Sequence, residues 1–191
     1  MLKVKPFRAL RPSPELADKV SSLPYDVMNT KEAAQMACGN EVSFLHVIRS
    51  EIDLPESTDP HAPEVYAKAA ENLVSFINRG VLIKDQKPHY YIYRQIMNGR
   101  VQTGICALVS IDDYQNGLIK RHEFTLPEKE VDRIHNFLAC KAHTEPVFLI
   151  NKKDEVIKKV IQEVTASNEP VYSFTSDDGI AHALWLVETQ Q

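Results

Sequence analysis

The sequence predicts an α+β fold: a mixed, largely antiparallel sheet with a central hairpin and flanking helices. Three observations lead there. Asn98-Gly99 separates two β-rich runs, 89–97 and 100–111, and this dipeptide suits a type I′ hairpin turn, whose two central residues both need positive φ. Between 64 and 79, Val65, Ala69, Leu73, Phe76 and Ile77 recur at helical spacing, and Gly80 follows as a stop. Finally, helical and β-rich patterns are interspersed along the whole chain without an internal repeat or low-complexity linker, so 1–191 reads as a single α+β domain.

The elements follow in order. Residues 1–12 carry Lys3, Lys5, Arg8 and Arg11 among Pro6 and Pro12, and proline keeps its preceding residue extended, so this is a strand or basic arm. Ser13-Pro14-Glu15 supplies an N-cap, a proline at the first helical position and an early acid, predicting a short helix to about Val20. A loop at 21–27 precedes a helix over 31–38, capped by Asn29 or Thr30 and ended by Gly39-Asn40. The apolar run 41–48 reads as a strand, and 51–63, with Pro55, Pro60 and Pro63 among acids, as a loop.

After the hairpin, 118–124 reads as a strand entering a loop. Residues 127–141 alternate charges with Val131, Ile134 and Leu138 in helical register, with Pro127 in the first turn. A short buried strand is expected at 147–150, an amphipathic helix at 154–166, and strands at 171–174 and 183–187 around a turn at Ser176-Asp177-Asp178-Gly179.

Composition narrows the function classes. The 191 residues are 43% hydrophobic and 25% charged, a globular balance with enough apolar mass for a core. With 22 basic against 26 acidic residues the net charge is −4, which offers no basic field for a phosphate backbone, so nucleic acid is disfavoured as a partner. Cys38, Cys106 and Cys140 are odd in number and lack CxxC spacing, which fits a reducing cytoplasm. No apolar run has the length of a signal peptide or a membrane span, so no membrane partner is expected.

The densest polar segment is Lys120-Arg121-His122-Glu123, followed by Thr125, Glu128, Lys129, Glu130, Asp132, Arg133 and His135. A carboxylate beside an imidazole can act as general base for a hydroxyl, and cations with helix-start amides can hold an anion. Glu128 to Arg133 reads equally well as a solvated charged face. A metal site drawn from His122, Glu123 and His135 is disfavoured because the spacing is not HExxH. Cys106 in an apolar strand and Cys38 at a helix end read as packed thiols, and no GxxxxGK[ST] or GxGxxG segment is present. His46 in an apolar run reads as a satisfied core histidine, and Asp26 and Arg94 as a substrate or anion contact or a structural ion pair.

Longer segments carry a resemblance. Lys5 to Pro12 (KPFRALRP), Leu23 to Val27 (LPYDV), Ser43 to Val47 (SFLHV), Glu51 to Pro55 (EIDLP), Tyr91 to Gln95 (YIYRQ), Ser110 to Tyr114 (SIDDY), and His122-Glu123 with Pro127 to Glu130 (PEKE) and Asp132-Arg133 resemble the bacterial and archaeal family catalogued as domain of unknown function 1015. Members of that family are longer and carry an Asp-Gly-His-His-Arg segment in a later half, which this chain lacks, so the chain resembles an N-terminal part. Leu126 stands where the family usually has Arg, and His143-Thr144-Glu145-Pro146 replaces a more usual Asn-Thr-Gly-Pro.

His122-Glu123, together with the family's Asp-Gly-His-His-Arg segment, is further similar to the free-serine kinases of the ParB and sulfiredoxin-like superfamily. The resemblance implies a nucleotide-dependent phosphotransferase acting on a small hydroxyl substrate such as free serine, with ATP or ADP and magnesium. Glu123 would then be the catalytic base with His122 beside it, and Lys120, Arg121 and Lys129 would lie near the nucleotide phosphates. It also implies little turnover from this chain alone. The contrasting expectation is a non-enzymatic module for a small anion or a protein, in which Arg8, Arg11, Asp26 and Arg94 supply contacts.

Overall fold

The computed structural model describes residues 2–122 and 124–188. In chain order the strands and α-helices are β1 (Val4–Lys5), β2 (Leu10–Pro12), α1 (Ala17–Val20), α2 (Thr30–Ala37), α3 (Leu45–Ile48), α4 (Pro63–Asn78), β3 (Leu82–Lys84), β4 (Tyr90–Met97), β5 (Arg100–Cys106), β6 (Leu108–Val109), α5 (Ile111–Gln115), α6 (Pro127–Cys140), α7 (Glu155–Ser167), β7 (Tyr172–Thr175) and β8 (Ala181–Val187). The fold class is α+β, with antiparallel pairing in the hairpin and in the sheet built around it. The chain forms two compact units, neither contiguous in sequence: Met1–Asp18, Lys84–His122 and Leu149–Gln191 make the first, Lys19–Ile83 and Glu123–Phe148 the second.

The first unit is organised by a four-stranded sheet in the order β5-β4-β8-β7. Asn98 at φ 50 and Gly99 at φ 76 turn the chain between β4 and β5, as the dipeptide predicts. Register brings Ile92 opposite both Ile105 and Trp185, and Arg94 opposite both Thr103 and Ala183. Ile92 and Trp185 are buried, and α7 packs on β8, where the Trp185 indole N–H donates to the Asn168 carbonyl at 3.0 Å. On the opposite face Tyr91 is buried and donates to Asp85 at 2.6 Å. The basic arm joins this unit through β1, which pairs with β6. Asp154 caps α7 by accepting from the Val156 and Ile157 amides.

The second unit is helical. Met28, Ala33, Ala37, Leu45 and Ile48 form one cluster, with Leu23, Tyr25, Phe44 and Ile52 packed on it. Helix α2 opens with a capping box, Asn29 accepting from the Glu32 amide and Glu32 from the Asn29 amide. Helix α4 buries Val65, Ala69, Leu73 and Phe76 and packs against α6. Its end is closed by Gly80 at φ 70, with the Gly80 amide donating to Ile77 and the Val81 amide to Phe76, a Schellman arrangement.

Three expected strands are corrected. The run 41–48 ends in helix α3, because Asn40 and Ser43 side chains accept from the Val42 and Leu45 amides and fold the segment into turns before a strand can extend. In 118–124 no strand forms among the described residues, since the Leu118 and Ile119 amides both return to the Asp113 carbonyl. Residues 147–150 are exposed and without strand, because an apolar run becomes β structure only where a neighbouring strand pairs with it. The expected second hairpin strand, 100–111, stops at Cys106, since Leu108–Val109 leaves β4 to pair with β1, and Ser110 then caps α5, which the pattern does not predict, by accepting from the Asp113 amide.

Candidate functional site

The structure gathers charge where the sequence reads as an ordinary helix surface. Helix α6 turns Asp132 and Asn136 inward, whereas Val131, Ile134 and Leu138 are exposed. Asp132, 8% exposed, lies in the second unit against α4. Its Oδ1 accepts from the Tyr66 hydroxyl at 2.8 Å and from His61 Nδ1 at 3.1 Å, and its Oδ2 from Arg133 at 2.6 and 3.1 Å. Arg133 continues the network to Glu145 at 3.1 Å, lies 3.9 Å above the Tyr25 ring, and Glu145 in turn accepts from the Tyr25 amide. The Thr144 hydroxyl donates to Asn136 at 3.1 Å.

The electrostatics follow from these contacts. Burial pushes the Asp132 carboxyl up, but the donors from Arg133, Tyr66 and His61 outweigh it and hold the carboxyl below its ordinary value of 3.8. Burial and the bond to Asp132 raise the Tyr66 phenol, so it stays protonated. Burial works against the Arg133 charge, yet Asp132 and Glu145 more than compensate and raise its pKa. Beside the network a cavity of about 410 Å³ opens between α4 and α6, lined by His61, Tyr66 and His135 with Pro63, Ala67, Leu138 and Ala139. The Tyr66 and His135 rings meet edge to face at 5.2 Å.

The sequence-chosen residues are distributed differently. Lys120, Arg121 and His122 are exposed in the first unit, and Arg121 bonds the Tyr114 hydroxyl and lies 5.4 Å from its ring. Glu123 lies outside the described residues. Lys129 is exposed on the first turn of α6 in the second unit, as is Asp26 in the single turn Tyr25–Val27. In the first unit the structure brings Arg8 and Arg11 together on Asp85: Arg8 donates to its carbonyl at 2.9 Å and Arg11 to its carboxylate at 2.8 and 3.1 Å. Arg94 lies over the Trp185 ring at 4.9 Å and donates to Thr103.

His46 is a satisfied structural histidine, as expected, bonding Asp53 at 2.8 Å and the Asn40 carbonyl at 3.1 Å. Cys38 is a correction: it is exposed at the end of α2, because the helix stops there and Gly39 turns the chain away. Burial pushes the Cys106 and Cys140 thiols up, which suits packing rather than nucleophilic attack. No group of three or more His, Cys, Asp or Glu side chains placed to hold a metal occurs among the described residues.

A second polar chain had no sequence signal. Tyr93, its phenol pushed up to about 12 chiefly by burial, bonds His182 Nδ1 at 2.6 Å, while His182 Nε2 lies 2.9 Å from Ser176 Oγ and Ser176 donates to Asp178 at 2.5 Å. Ser176 gives its one proton to an acceptor-only group, the Asp178 carboxylate or the Ile180 carbonyl, so it accepts from Nε2–H, and Nδ1 of the neutral imidazole is left to accept from the Tyr93 hydroxyl.

Compared with known proteins, residues 4–191 match the family model described as "Protein of unknown function (DUF1015)", and the chain belongs to that family. No curated protein and no solved structure matches it. Among the described residues no helix is long and apolar enough to cross a membrane.

Proposed function

We propose that this chain contributes to a nucleotide-dependent phosphotransferase acting on a small hydroxyl substrate such as free serine. The observation that carries the reading is the segment Lys120-Arg121-His122-Glu123, in which a candidate carboxylate base follows an imidazole and two cations. Exposure of Lys120, Arg121 and His122 supports it, since side chains that meet a soluble nucleotide must be reachable. ATP or ADP, with magnesium on its phosphates, would supply the phosphoryl group; Lys120 and Arg121 would neutralise phosphate charge, and Glu123 would accept the proton of the substrate hydroxyl.

Calorimetry of ATP and ADP with magnesium, with and without serine, tests the reading on this chain and on a longer family member carrying the Asp-Gly-His-His-Arg segment. Nucleotide binding by the longer protein is expected, with little turnover by the 191-residue chain. Absence of nucleotide binding by both sinks the reading.

A module that binds a small anion is the second reading, and one observation favours it. Arg94 is held above Trp185 beside Ser173 and His182 in a cavity of about 190 Å³, and among the described residues its guanidinium is hydrogen-bonded through Nε to Thr103 alone. Anion binding that survives Glu123→Gln but is lost on Arg94→Ala would select this reading. Arg8 and Arg11 are poorer probes, because both are engaged with Asp85.

A further inference from the structure

The cavity between α4 and α6 is lined by none of the residues invoked for the phosphotransferase or the anion module, and its polar wall has a defined hydrogen-bonding sense. Asp132, ionised, is an acceptor only, so the bond from His61 Nδ1 requires the proton on that nitrogen. Neutral His61 is therefore fixed in the tautomer whose Nε2 carries a lone pair, and that nitrogen has no hydrogen bond among the described residues, the side chain being 68% exposed. Tyr66 has spent its one proton on Asp132, which leaves its oxygen with acceptor capacity alone. The wall thus offers acceptors from two residues, while Pro63, Ala67 and Leu138 supply apolar surface. At about 410 Å³ the space lies within the range of small-molecule sites.

We propose that His61, oriented by Asp132, and Tyr66 form the polar wall of a binding site for a small apolar alcohol or phenol, whose hydroxyl donates to His61 Nε2 and whose hydrocarbon body lies on Pro63, Ala67 and Leu138. The arrangement is the carboxylate-histidine pair in which one ring nitrogen is anchored and the other is left to meet a ligand. It is independent of the phosphotransferase reading, which uses no residue of this cavity.

The test titrates the 191-residue chain with phenol while following the histidine ring signals by NMR, with anisole, which has the same ring and no donor, as the comparison. Saturable shifts of the His61 and His135 signals are expected with phenol, and anisole should bind about tenfold more weakly, the worth of one hydrogen bond. His61→Ala, at an exposed position and with its fold checked by circular dichroism, should bring phenol down to the anisole level. Equal binding of the two probes by the native chain, phenol affinity unchanged in His61→Ala, or histidine signals that never move would each overturn the site.

Discussion

Asp132 has the most donors of any buried carboxylate in the second unit, and its burial makes sense only with them. An unpaired carboxylate taken out of water costs several kcal/mol, whereas one that accepts from Tyr66, His61 and twice from Arg133 is held ionised. Asp132→Ala takes the acceptor from Tyr66 and His61 and leaves Arg133 to Glu145, and should cost about 3 kcal/mol in urea unfolding, the low end for a broken buried pair. Acid should act in the same direction. With a folded pKa below 3.8, the unfolded chain binds the proton first, so the contribution is complete above 3.8 and fades as pH falls through the folded value. His182 sits on the other side of the scale. Burial lowers its pKa below 6.5, against the opposing pull of Asp178, so between the folded value and 6.5 the unfolded chain again holds more protons and stability declines on acidification. The melting temperature should therefore fall between points about one unit above and below 6.5, and fall less in His182→Gln; equal slopes for the two proteins would show that another group titrates.

At the scale of elements, legibility follows how local the decisive interaction is. The Asn98-Gly99 turn, the Asn29 cap and the Gly80 stop are settled by residues within five positions of one another, and all three stand in the structure where the sequence places them. The turn is also testable: a Cβ on Gly99 meets nothing within 4 Å, so Gly99→Ala isolates the cost of φ 76 and should lower stability by about 1 kcal/mol in denaturant titration. Where partners are distant, the pattern misleads. Helix α6 has Val131, Ile134 and Leu138 at helical spacing, yet the face turned inward is that of Asp132 and Asn136. Nothing within α6 specifies this, because the donors that make burial of Asp132 favourable come in part from Tyr66 and His61, more than sixty positions earlier. The same holds for the candidate site, of which sequence spacing caught Arg133 and Asp132 only as members of a charged helix and missed His61 and Tyr66 altogether.

The whole molecule adds a constraint that no segment shows by itself. Each unit is interrupted in sequence by stretches of the other, so a single compact domain is the natural reading of a pattern without linkers, and the two units are defined by contacts between distant stretches. Folding of either unit must then wait for late residues. In the first, β8 is the inner strand between β4 and β7, and without residues 149–191 the hairpin of β4 and β5 would be left as an isolated two-stranded ribbon, which is marginal in water. In the second, loss of 123–148 removes α6 and uncovers Tyr66 and the side of α4 that packs on it, while α3 still covers another side. A chain ending at residue 122 therefore retains most of the residues of both units and the strongest local signals, yet it should show no cooperative thermal transition and should exchange its β4 amides rapidly, because the ladder to β8 has no partner. A sharp transition with protected β4 amides in that fragment would mean that local propensity, rather than closure by the late strands and α6, holds the fold.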